Sequence, residues 1–70
     1  MIREGSKLKW NWGNGTAAGK VISTYTSVIT KEIDGSKITR KGENSNKALY
    51  IEQEDGSKVL KLESEVEKSS

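Results

Sequence analysis

Cysteine, histidine, proline and phenylalanine are all missing from this chain of 70 residues. Without cysteine, no disulfide framework and no thiolate metal site can reinforce a small core. Without histidine, the commonest catalytic base and the commonest metal ligand are gone. Turns must be made by Gly, Asn, Asp and Ser. Aromatic residues are scarce at 6%, and apolar residues reach only 31%, the same share as charged ones. No apolar run approaches the ~20 residues of a membrane-crossing helix. Met1-Ile2-Arg3-Glu4-Gly5 runs straight into charge, without the apolar stretch of a signal peptide. These absences lead us to expect one soluble, cytoplasmic domain over residues 1–70, ordered over about 5–66 with frayed ends, needing no cofactor and no membrane.

The apolar residues that are present fall in short alternating clusters, which argues for a folded β domain over a disordered chain. In Lys7–Trp12, Leu8, Trp10 and Trp12 share one strand face. Gly13-Asn14-Gly15 breaks that strand, and Thr16–Val28, rich in Thr, Val, Ile and Tyr, suits one long or bent strand. Gly19 within it marks a bulge or a close backbone approach. Val28–Ile33, Asp34-Gly35 and Ser36–Arg40 form a hairpin on a type I′ turn, because Asp-Gly tolerates the positive φ that this turn requires. That turn pairs Ile33 with Ser36 and Ile29 with Arg40, and puts Ile29, Ile33 and Ile38 on one face. Lys31 and Arg40 fall on the same face, where their stems should pack and their charges reach water. Lys41–Lys47 is a polar loop. Taking Asp55-Gly56 as a second two-residue turn pairs Ile51 with Leu60 and Leu49 with Leu62, and points Tyr50 and Val59 outward. Ser64–Glu67 is expected to form one helical turn, and the last residues read as a tail. The fold class is therefore all-β: a small five-stranded, SH3-like barrel with a short helical turn near its C-terminus.

Two formal motifs fail in context. Gly13-Asn14-Gly15-Thr16-Ala17-Ala18 matches G-x-G-x-x-A, but the fingerprint needs a helix after it to hold a pyrophosphate. The chain continues instead as Val21-Ile22-Ser23-Thr24-Tyr25-Thr26, a strand-forming run. Gly15–Lys20 is one residue too short between its glycines for a phosphate loop, and Val21 stands where Ser or Thr should hold magnesium. Hydroxyls are plentiful, but no histidine can activate them. The carboxylates from Glu52 to Glu67 are spaced as solvated strand and turn residues. No enzyme is expected.

Charge is unevenly spread along the chain. Residues 1–42 carry eight Lys/Arg against three Asp/Glu, and residues 43–70 carry four against seven. Lys9, Lys20, Lys31, Lys37, Arg40 and Lys41 could form a basic face for nucleic acid. In a barrel, however, the two halves of the sequence interleave.

Three stretches together resemble the hypervirulence-associated family with a Tudor-type domain: Trp10-Asn11-Trp12-Gly13 through Gly15–Val21; Ile38-Thr39-Arg40-Lys41-Gly42; and Ile51–Gly56 through Val59–Leu62 with Ser64-Glu65. The resemblance spans most of the chain and implies a Tudor-type barrel. Tudor-type barrels as a class bind methylated lysine or arginine in aromatic cages, or contact nucleic acid. In the family pattern a tyrosine directly follows the alanine here numbered Ala48; here Leu49 follows and Tyr50 comes next. The leading expectation is a non-enzymatic module that binds a protein or peptide through a groove lined by Trp12, Tyr25 and Tyr50. Asn14, Arg40 and Lys41 would supply its polar contacts. Nucleic-acid binding through the basic residues is the first alternative. Self-association through strand edges or Val59 and Tyr50 is the second, the chain being a monomer or weak homodimer.

Overall fold

The computed structural model describes residues 2–69, with the side chain of Trp12 outside that description. Its strands are β1 (Lys7–Trp12), β2 (Gly15–Tyr25), β3 (Val28–Ile33), β4 (Ser36–Lys41), β5 (Ala48–Gln53), β6 (Lys58–Leu62) and β7 (Glu67–Lys68). A single 3-10 turn, Glu63–Glu65, joins the last two. Five strands make one antiparallel sheet in the order β6-β5-β2-β1-β7, and β3–β4 stands apart as a two-stranded sheet. The all-β class is as expected, but the barrel is corrected on two counts: seven strands form instead of five, and neither sheet closes. The reason lies at the end of β2, where Tyr25 is the direct partner of Ala48 on β5. Everything from Thr26 to Lys47 is thus an excursion from the sheet, and its strands pair with each other.

The core lies on one face of the large sheet. Leu8 and Trp10 alternate inward on β1 and meet Val21, Leu49 and Ile51, with Ile2, Ala17, Val59 and Val66 packed around them. Trp10 fills this core at 6% exposure. The chain end also contributes. Glu67 and Lys68, read from sequence as tail, pair with Lys9 and Leu8, and the Ser69 N–H donates to the Lys7 carbonyl at 2.9 Å. Part of the outer edge of β1 is thereby covered.

The β5–β6 hairpin differs from expectation by one residue. Tyr50 faces Leu60 and Ile51 faces Val59. The Gly56 N–H donates to the Gln53 carbonyl and the Gln53 N–H to the Ser57 carbonyl, leaving a three-residue loop. Gly56 takes φ 90° there, the left-handed conformation of the bulged residue in such loops. Asp55 holds the turn by accepting from the Ser57 N–H at 3.0 Å and the Ser57 hydroxyl at 2.6 Å. A one-residue slip inverts every side chain of a strand. Val59 therefore packs on the core, and Leu60, 4% exposed, joins Tyr50 and Ala48 on the opposite face.

Candidate functional site

The site begins with the alternation along β2. Up to Val21, odd-numbered residues of this strand are the more buried ones, and Val21 sits opposite Ile51. The register then shifts: Ile22 is the extra residue, Ser23 pairs with Tyr50, and Tyr25 pairs with Ala48. A bulge of this kind re-aims the side chains beyond it. Strict alternation would send Tyr25 to the same side as Val21. The bulge sends it to the other side, beside Tyr50.

The excursion supplies the third component. Asp34 and Gly35 have φ of 50° and 80°, and the β3–β4 register is the one expected from a type I′ turn, Ile33 with Ser36 through Ile29 with Arg40. Thr30 and Thr39 hydroxyls bond across it at 2.9 Å. Along β3, half-buried Ile29, Lys31 and Ile33 alternate with exposed Val28, Thr30 and Glu32. That half-buried face turns toward the large sheet, where β3 and β4 approach β6. Lys31 Nζ comes to 4.9 Å from the ring centroid of Tyr50 and 5.5 Å from that of Tyr25. Both distances lie inside the ~6 Å range over which an ammonium is held by a ring face.

Its surroundings hold this arrangement in place. The Ser23 hydroxyl donates to the Tyr25 phenol oxygen at 2.9 Å. That bond, the largest influence, holds the Tyr25 phenol below its usual value near 10; desolvation opposes it, and the Lys31 ammonium adds to the lowering. Arg40, on β4, reaches Glu65 at 3.3 Å. The Lys47 N–H donates to the Glu63 carboxylate at 2.9 Å, and the Ser64 N–H to Asn46 Oδ1 at 3.0 Å. The return leg of the excursion is thus fastened to the 3-10 turn. At its mouth, the Gly42 N–H donates to the Ser27 carbonyl at 3.0 Å. A Cβ on Gly42 would collide with the Tyr25 carbonyl and meet Ala48 N at 2.9 Å. Only glycine lets the two legs pass there. Between β6 and the hairpin a groove of about 390 Å³ remains, bordered by Ile33, Ile38, Val59 and Leu60.

The sequence-predicted groove residues do not all meet. Tyr25 and Tyr50 converge, although neither was expected to carry a cation from its own chain. Asn14 is exposed in the β1–β2 turn, at the far end of β2 from Tyr25. Trp12 ends β1 opposite Gly15, also at that end, and its side chain lies outside the described residues. Arg40 is engaged by Glu65, and Lys41 is exposed opposite Val28. Lys31, Ser23 and Glu65 were not among the expected groove residues. Lys31 alone had left a signal in the sequence, as a cation on the apolar face of the hairpin.

The basic residues are interleaved with acids. Lys9 faces Glu67, Lys20 faces Glu52, and Lys37 faces Glu32 across their strands. Glu52 also reaches Lys58 at 3.2 Å. The surplus of positive charge in the first half of the chain is therefore offset by residues of the second half, although Lys7 and Lys20 do face each other.

The all-β architecture of antiparallel sheets is consistent with a Tudor-like fold, and among the described residues no helix is long and apolar enough to cross a membrane. The sequence profile of the hypervirulence associated proteins TUDOR domain matches residues 5–66, and the chain belongs to that family. Comparison with curated proteins and with solved structures returned no match. Domains of the Tudor type are generally non-enzymatic binding modules.

Proposed function

We propose that this domain is a non-catalytic module that binds a protein or peptide by accepting one of its cationic side chains on the Tyr25–Tyr50 ring pair. The observation that carries this reading is the convergence of two tyrosine rings on one ammonium, 4.9 and 5.5 Å away. Ring faces attract lysine, methylated lysine and arginine alike, because all present positive charge to the negative quadrupole. The interleaving of acids with the basic residues favours a protein partner over nucleic acid, since phosphate binding draws on uncompensated charge. The residues invoked for self-association also fit it poorly: Val59 packs on the core and Tyr50 is half-buried.

The test is a heteronuclear NMR titration with a short peptide holding one lysine, unmodified and trimethylated. Binding should move the ring resonances of Tyr25 and Tyr50. Tyr50→Ala should weaken it by roughly 2- to 30-fold, the equivalent of ~0.5–2 kcal/mol for one cation–ring contact. Shifts confined to other surfaces, unaffected by Tyr50→Ala, would exclude the ring pair as the site.

A further inference from the structure

The ring pair is already occupied by the chain itself. Lys31 sits there through a register set locally by the Asp34-Gly35 turn. Its ammonium gives up part of its hydration to do so, and the two phenol faces replace it. The leg that carries Arg40 is fastened at Glu65, Glu63 and Ser64. Among the described residues, no carboxylate lies within 4.0 Å of the Lys31 ammonium. The lysine can therefore leave the rings by rotation of its four-carbon stem, with the hairpin staying where it is, and its charge then enters water. Leaving costs the ring contacts and the interaction of the ammonium with the Tyr25 phenol, but no ion pair.

Resting on the reading of the tyrosine pair as a cation site, we infer that Lys31 is a built-in competitor for that site. An incoming ligand cation binds by displacing the Lys31 ammonium, and the apparent affinity of the domain is lowered by the fraction of molecules in which Lys31 occupies the rings. The partner must then present a cation able to compete with a tethered one. Lys31 is always at hand, at the high effective concentration of an intramolecular group. Weak, isolated cations are screened out, and the domain responds to ligands that add contacts beyond the charge. Such contacts are available in the groove beside Ile33, Ile38, Val59 and Leu60.

The experiment uses tetramethylammonium as the probe, because it offers a cation and nothing else. NMR titrations of the full chain would compare the wild type with Lys31→Ala, which empties the rings, and Lys31→Arg, which keeps a tethered cation. We expect Lys31→Ala to bind about 3- to 30-fold more tightly than wild type, and Lys31→Arg to behave like wild type. Equal affinity of all three, with binding still lost in Tyr50→Ala, would overturn the competitor role and leave the ring-pair reading standing. Absence of any Tyr50-dependent binding in Lys31→Ala would overturn both. Should Lys31→Ala fail to fold, the wild type decides alone. The Lys31 ε-methylene protons, shifted upfield by the rings in the free protein, should return to ordinary positions in step with probe saturation. If they stay shifted while the tyrosine resonances saturate, Lys31 is not displaced.

Discussion

A phenol that accepts a hydroxyl bond and lies near an ammonium loses its proton more readily than one in water. Tyr25 is in that position, with Ser23 the larger influence and Lys31 the smaller. Its folded value lies below the unfolded one near 10. The phenolate therefore contributes no stability at neutral pH. The contribution appears as pH rises through the folded value and is complete above the unfolded value. Tyrosinate absorbance near 295 nm in a Tyr50→Phe background would follow Tyr25 alone. Its midpoint should lie below 10, rise most in Ser23→Ala and rise less in Lys31→Ala. A midpoint unmoved by either change would mean that neither group reaches the phenol.

At the scale of the element, the decisive feature is a single inserted residue. Ile22 is 41% exposed, a large apolar side chain that packs in no core. What it does is reverse the face of the residues after it. Deleting Ile22 should close the bulge into a regular ladder, with Val21 opposite Ile51, the next residue, Ser23, opposite Tyr50, and Tyr25 opposite Ala48. Tyr25 should then keep the Tyr50 face, and its nuclear Overhauser contacts to Lys31 should persist. Loss of those contacts in the deletion variant would show that the bulge geometry itself, and not the pairing of Tyr25 with Ala48, aims the ring. The same residue explains how far the site could be read from sequence. The β3–β4 register was legible because Asp34-Gly35 admits one tight turn, and Trp10 was legible because Leu8 brackets it at strand spacing. The bulge was not, since Val21-Ile22-Ser23 is as good a regular strand as an irregular one. Nor was the β5–β6 register. Asp55-Gly56 serves either a two-residue turn or a three-residue loop with Gly56 left-handed, and the bonds from Ser57 to Asp55 favour the second. Both misreadings concern which residues share a face, so the groove expected of Tyr25 and Tyr50 could not be derived from the strand register, although the two rings do converge.

At the scale of the whole molecule, the chain divides into a sheet and an arm. The core cluster of Leu8, Trp10, Val21, Leu49 and Ile51 contains no residue of the excursion. Because Tyr25 and Ala48 are direct partners, replacing Thr26–Lys47 by Asn-Gly would turn β2 and β5 into an ordinary hairpin. The shortened chain should still fold, and in a Trp12→Phe background its emission, then from Trp10 alone, should remain that of a buried indole. It should be less stable by roughly 1.5–3 kcal/mol per large side chain uncovered, Leu60 first. An unfolded product, by circular dichroism, would show that the arm is part of the fold and not an addition to it.

The excursion between Tyr25 and Ala48 also orders events in time. Bringing those two residues together from an open chain means closing a long loop, an entropic cost incurred before any contact forms across it. The β3–β4 hairpin needs nothing from the rest of the molecule to begin, and hairpins of this kind form in about 1–10 μs. Once it has formed, Val28 and Lys41 are already neighbours, and only short segments separate them from the β2 and β5 ends that must meet. The Asp34-Gly35 turn, which contributes no residue to the main core cluster, thereby shortens the loop that the central β2–β5 ladder must close.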